Sequence, residues 1–151
     1  MTGILENQTI IQIGIVVKDI EKTSLNYSKL FGVTKPQWFW TEAFDKAETE
    51  FKGNPTQARA KLAFIKLTNL EIELIEPDDN PSTWREYLDT NGEGIHHIAF
   101  VIKGMKQKIT ALNEIEMPLI QKGEYTGGRY AYFDSLRDLK VIIELLEHDS
   151  G

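Results

Sequence analysis

The sequence predicts an α+β domain assembled from two tandem β-α-β-β-β modules, and three observations carry that reading. A pattern near the N-terminus, Gln12-Ile13-Gly14-Ile15-Val16-Val17-Lys18, is echoed by His97-Ile98-Ala99-Phe100-Val101-Ile102-Lys103. A second pattern, Ile72-Glu73-Leu74-Ile75-Glu76, is echoed by Ile143-Glu144-Leu145-Leu146-Glu147. The echoes come in the same order in both halves, with a helical stretch and further strands between them. The repeat is far longer than a solenoid unit, so it reads as a duplication inside one domain spanning 1–151 rather than an array.

The elements follow from local patterning. Thr9 to Lys18 is nearly continuous apolar and β-branched sequence, as in a strand buried on both faces. Asp19 is placed to cap a helix carrying Ile20, Leu25, Leu30 and Phe31, and Gly32 to stop it. Lys35 to Thr41 reads as an aromatic strand. The charged stretch from Ala43 to Gln57 contains Gly53, Asn54 and Pro55 and reads as a long hairpin loop or mobile flap. Lys61 to Leu67 and Leu70 to Ile75 form two more strands, ending a first module over about 8–77. A linker over 78–92 follows, with a short helix capped by Ser82. The second module, about 93–148, repeats the order. It has a strand from Ile95 to Ile102, a helix from Met105 to Ile115, and strands over 118–121, 129–134 and 140–147.

Composition bounds the function. The chain is 41% hydrophobic and 26% charged, ordinary for a soluble globular protein, and no apolar run approaches a membrane span. A net charge of −6 without a basic cluster argues against nucleic acid as a partner. The absence of cysteine excludes disulfides and thiolate metal sites and fits a cytoplasmic protein. No signal-peptide pattern is visible at Met1 to Gln8.

The chemistry concentrates at four positions. Alternation along a strand puts Gln12 on the face of Gly14 and Val16, and His97 on the face of Ile95 and Ala99, leaving His96 on the opposite face as a structural residue. Gly14 and Ala99, each two positions after a candidate ligand, would leave space on that inner face. Glu144 lies among Ile142, Ile143, Leu145 and Leu146, where an isolated carboxylate costs several kcal/mol unless protonated, paired or bound to a cation. Glu73 shares its face with Glu71 and is less constrained. Singly, each residue has an ordinary structural explanation; their matched placement in both halves points to one metal site made of Gln12, Glu73, His97 and Glu144. Trp38 and Trp40 share one face of their strand, Tyr130 and Tyr132 one face of another, and these four are the expected lining of a substrate pocket.

These segments, with Gly92-Glu93-Gly94-Ile95-His96-His97 and Ile72-Glu73-Leu74-Ile75-Glu76-Pro77, resemble the vicinal oxygen chelate superfamily, which includes glyoxalase, methylmalonyl-CoA epimerase, extradiol dioxygenases and bleomycin-resistance proteins. The resemblance implies that the paired modules curl into an incomplete mixed β-barrel enclosing a divalent metal, with one ligand from each of four strands at the four positions above. It also implies a homodimer.

Within the superfamily the resemblance is divided. The Gln, Glu, His, Glu set is similar to that of zinc-type glyoxalases, but the glutathione-holding Arg and Asn positions are Val16 and Pro77 here. The run Pro81 to Leu88 and the Gly-Glu-Gly-Ile-His-His motif resemble the epimerases, which carry a further catalytic Glu that Glu48 or Glu50 could supply. Iron dioxygenases place His where this chain has Gln12. Three oxygen donors and one imidazole suit Zn, Ni, Co, Mn or Mg. The expected function is a metal-dependent isomerase, epimerase or lyase moving a proton alpha to a carbonyl through a chelated enolate, with an acyl-CoA among the candidate substrates. Glu144 and Glu73 are the expected catalytic residues. The alternatives are a glyoxalase-type lyase on a hemithioacetal and a non-catalytic small-molecule binding or resistance protein.

Overall fold

The computed structural model describes residues 3–150. The first half opens with strand β1 (Gln12–Val16) and helix α1 (Ile20–Phe31). Asp19 caps α1 from extended backbone, its carboxylate accepting the Lys22 N–H at 3.1 Å, and Gly32 closes the helix in the left-handed region at φ 66°. Replacing Asp19 with alanine is expected to lower stability by about 1 kcal/mol in urea denaturation; an unchanged midpoint would show the cap to be redundant with Glu76, which accepts the Ile20 N–H at 3.0 Å.

Strand β2 covers only Phe39–Trp40, shorter than the expected 35–41. The residues before it are tied to α1 instead: Lys35 pairs with Glu21 at 2.8 Å, and the Trp38 indole donates to the same carboxylate at 2.8 Å. Strands β5 (Ala60–Lys66) and β6 (Glu71–Pro77) pair antiparallel. Between β2 and β5 lie α2 (Phe44–Ala47), β3 (Glu50–Phe51) and β4 (Asn54–Pro55), so the charged stretch forms a short helix and a hairpin. Helix α3 (Thr83–Asn91) starts at its Ser82 cap as expected, the hydroxyl accepting the Arg85 N–H at 2.9 Å.

The second half comprises β7 (Gly94–Val101), α4 (Met105–Glu114), β8 (Leu119–Tyr125), β9 (Gly128–Phe133), α5 (Leu136–Leu139) and β10 (Ile142–His148). Helix α4 has no side-chain cap of its own; Glu147 on β10 accepts the Gly104 and Met105 N–H groups, both at 2.9 Å, which ties the helix to the sheet. The last strand begins later than expected because α5 and the Ser135 hydroxyl, which donates to Val141 and accepts from Ile143, hold the preceding residues in a turn.

All strands join one sheet in the order β2-β5-β6-β1-β7-β10-β9-β8-β3-β4. The order is symmetric about the antiparallel β1–β7 junction: β1 runs parallel to β6 on one side, and β7 parallel to β10 on the other. The inserted hairpin departs from the symmetry. It leaves one edge beside β2 and adds β3 to β8 near the opposite edge, so a strap from the first half curls the sheet into an incomplete barrel.

The core has three parts. On the inner face Val16, Ile75, Tyr132 and Ile142 meet Trp84 and Leu88 of α3, which plugs one end of the barrel. On the outer face, α1 covers Ile65, Ile72 and Leu74, while Met105 and Leu112 of α4 pack against Phe133, Ile143 and Leu145. Both faces of the central strands are therefore dry, which explains their near-continuous apolar sequence. Among the described residues no helix is long and apolar enough to cross a membrane.

Candidate metal centre

Strands β6, β1, β7 and β10 are neighbours in that order, and each contributes one of the four expected ligands to the inner face. The register explains how four large polar side chains fit on adjacent strands. Gly14 lies between Glu73 and His97, and Ala99 lies between Gln12 and Glu144, so every ligand has a small residue beside it. At Gly14 the space is fully used. A Cβ built there would fall inside the His97 imidazole, which lies across the glycine backbone.

The four side chains converge on one atom. His97 Nε2 lies 3.2 Å from Glu73 Oε1, 3.3 Å from Glu144 Oε1 and 3.3 Å from Gln12 Oε1. All four residues are buried, His97 completely. A single N–H can point at only one acceptor, and Glu73 Oε1 and Glu144 Oε1 make no hydrogen bond of good geometry. Two enclosed carboxylate oxygens are thus left without a partner that any side chain supplies, although buried charge demands one.

A divalent cation fits this arrangement. The Glu73, His97 and Glu144 donor atoms all lie within 4.8 Å of one another, and ligand atoms bound about 2.0–2.2 Å from one ion stand on the order of 3 Å apart. The Gln12 amide is oriented for the same purpose. Its Nε2 donates to Glu71 Oε1 at 3.0 Å, which turns Oε1 toward the other donors.

Charge and burial compete at these groups. Burial pushes the Glu73 carboxyl up to about 7, opposed by the close approach of the His97 imidazole and reinforced by the Glu144 charge. Burial pulls the His97 imidazole down, but the Glu144 and Glu73 carboxylates override it and hold the group up at about 9. The centre therefore retains protons near neutrality that a cation would displace.

The expectation for His96 is corrected. Alternation would turn it away from His97, yet both imidazoles are completely buried with His96 Nδ1 and His97 Nδ1 only 2.8 Å apart. The cause is a β-bulge: Gly14 pairs with His97 and Ile15 with Ile95, leaving His96 as the extra residue. The same irregularity removes Ile95 from the face of His97 and leaves it 54% exposed.

The four expected pocket aromatics separate into two groups. Tyr132 and Tyr130 are on the inner face, with the Tyr132 ring 5.0 Å from the His97 ring and the Tyr130 ring 5.2 Å from that of Tyr132. Trp38 and Trp40 are not brought to the site. Their rings lie 6.1 Å apart, Trp38 packs in the outer core beside α1, and Lys61 rests over both indoles. The two indoles do share a face, as alternation predicts, but it is the outer one. Phe39, stacked at 5.9 Å on Phe64, is the β2 residue turned inward, and Phe64 pairs directly with Glu73. Glu48 and Glu50 lie on the strap, lining a cavity with Lys106, Lys122 and Tyr130, with Glu50 3.5 Å from the Lys122 ammonium.

Known proteins share this architecture. A methylmalonyl-CoA epimerase from Mycobacterium tuberculosis superimposes with a TM-score of 0.63 at 20% identity, covering 99% of this chain and 93% of that one. A Streptomyces coelicolor methylmalonyl-CoA epimerase in complex with 2-nitronate-propionyl-CoA gives 0.62 at 22% identity, covering 95% and 99%. At these identities the likeness speaks for the fold. The uncharacterized protein YqjC of Bacillus subtilis (strain 168) is 29% identical over 138 residues, 89% of each chain. The family model for the glyoxalase/bleomycin resistance protein/dioxygenase superfamily matches residues 11–133, a span that takes in Gln12, Glu73 and His97, while Glu144 joins them through the β7–β10 pairing. The chain belongs to the glyoxalase/bleomycin resistance protein/dioxygenase superfamily.

Proposed function

We propose that this protein is a metal-dependent enzyme that moves a proton alpha to a carbonyl of a small substrate, as an epimerase or isomerase, with acyl-CoA thioesters the first substrate class to test. The observation that carries this reading is the pair of buried carboxylates, Glu73 and Glu144, reaching the same imidazole nitrogen from opposite halves of the chain. Gln12, Glu73, His97 and Glu144 would hold the ion. A bound divalent cation supplies a Lewis acid that stabilises negative charge developing on a substrate oxygen.

The chain's own residues do the rest. Glu73, a buried carboxylate beside His97, is placed to take and return a proton at the reacting carbon. Glu144 provides a second carboxylate on the other side of His97, and two carboxylates allow removal and return from different directions. The plug formed by α3 and the Tyr132 ring excludes water from one end of the barrel. The epimerase neighbours support the substrate class. The Gln, Glu, His, Glu donor set supports a second reading, a glyoxalase-type lyase on a hemithioacetal. A cytoplasmic homodimer is the functional unit under either reading, checked by sedimentation, where a monomer mass at working concentration would exclude it.

The deciding experiment is solvent deuterium incorporation into 2-methyl acyl-CoA thioesters and hemithioacetals, with added divalent metal and with chelator. Metal-dependent exchange is expected, falling by about 100-fold or more in Glu144→Ala. Tight ligand binding without exchange under any metal would assign the protein to sequestration, and full metal content with full turnover in Glu144→Ala would remove that residue from both roles.

A further inference from the structure

We infer that His96 is a positioning residue that fixes the tautomer of His97, with Thr83 at the start of α3 fixing the tautomer of His96 in turn. The inference rests on the metal-centre reading above and extends it to residues outside the donor set.

The geometry leaves little freedom. His96 Nδ1 and His97 Nδ1 face each other at 2.8 Å, and His96 Nε2 lies 3.1 Å from Thr83 Oγ1. Two lone pairs, or two N–H groups, at 2.8 Å would repel, so one proton lies between the rings. His97 Nε2 is the nitrogen directed at Glu73, Glu144 and Gln12. For Nε2 to offer its lone pair to a cation, the single proton of the neutral ring must be on Nδ1, and it is then donated to His96 Nδ1. His96, accepting at Nδ1, carries its own proton on Nε2 and donates it to the Thr83 hydroxyl.

Both rings are tightly enclosed. The His96 ring is held edge-on by Tyr87 and Tyr132, with centroids 5.5 Å and 5.1 Å away. Thr83 is buried at the first turn of α3, where its N–H donates to Gln121 Oε1 at 2.8 Å. The β-bulge is what makes the contact possible, because in a regular strand the two histidines would point to opposite faces. The bulge therefore serves the site, placing a neutral acceptor behind the ligand imidazole where a carboxylate or carbonyl is the usual partner.

The test uses the full-length protein with Zn or Co. Long-range nitrogen–proton correlation spectra should show His97 protonated at Nδ1 and His96 protonated at Nε2 in the metal-loaded protein. His96→Leu, which keeps bulk but removes the acceptor, should weaken metal binding by about 10- to 100-fold. His96→Gln, which restores an acceptor, should recover most of that loss. A wild-type protein that binds metal but has His96 protonated at Nδ1 would overturn the inference alone, as would a folded His96→Leu with undiminished affinity. A wild-type protein that binds neither metal would overturn the metal centre and this inference together. Should His96→Leu fail to fold, the wild-type spectra still decide the tautomers.

Discussion

Replacing Gly14 with alanine is expected to abolish tight divalent-metal binding although Gly14 bears no donor atom. An added Cβ would occupy the space of the His97 ring. The ring cannot shift within the site, since His96 and Tyr132 pack against it with centroids 5.1 Å and 5.0 Å away. Either β1 and β7 separate or the imidazole swings out, and both outcomes remove Nε2 from Glu73, Glu144 and Gln12. Overpacking of this kind costs about 1–3 kcal/mol of stability. The loss of a ligand should lower affinity by more than the roughly 10- to 100-fold effect of disturbing an outer partner. A double-mutant cycle isolates the cause. In a His97→Ala background the clash partner is gone, so Gly14→Ala should cost almost nothing further in thermal stability. If Gly14→Ala destabilises both backgrounds equally, the steric account is wrong and the glycine serves the strand backbone instead.

The same glycine marks what could be read from the chain and what could not. The repeat placed Gln12 and His97, and Glu73 and Glu144, at equivalent positions, because duplication preserves spacing along strands whose side chains alternate. The elements followed where local chemistry was strong, as at Asp19, Gly32 and Ser82. Local patterning does not determine positions where tertiary pairing decides. No local signal marks the bulge at His96, so strict alternation turned that ring the wrong way. Which face of β2 looks inward depends on its pairing with β5, and Phe39 rather than Trp38 or Trp40 is the residue turned toward the site. Glu71 carries no sequence signal of a role at the site, yet it orients Gln12 across the β1–β6 pairing. The strap's attachment to β8 joins positions far apart in sequence that carry no mutual signature.

Stability should depend on pH in opposite ways with and without metal. In the metal-free protein the His97 group is held up at about 9 against an ordinary 6.5. Its stabilising contribution is therefore complete below 6.5 and lost as pH rises through 9. The Glu73 carboxyl, raised to about 7 from 4.5, favours the protonated folded state, so its effect on stability becomes less favourable between 4.5 and 7. Both changes have the same sign, and the metal-free protein should lose thermal stability between pH 5 and 9.

A cation reverses the trend. It binds the deprotonated donors, so raising the pH removes its competitor, and affinity should rise about tenfold per pH unit for each proton displaced. Metal that binds only the folded state stabilises it by mass action. At a fixed free Co(II) concentration, the metal-induced rise in Tm should therefore grow from pH 6 to 9. Glu73→Gln identifies the groups responsible: it should flatten the metal-free profile between 4.5 and 7 and, because the Glu73 carboxylate helps Glu144 hold the His97 imidazole up, move the later loss to lower pH. A metal-induced shift that stayed constant or shrank with rising pH would mean that the ion does not displace these protons, and the donors would have to be sought elsewhere.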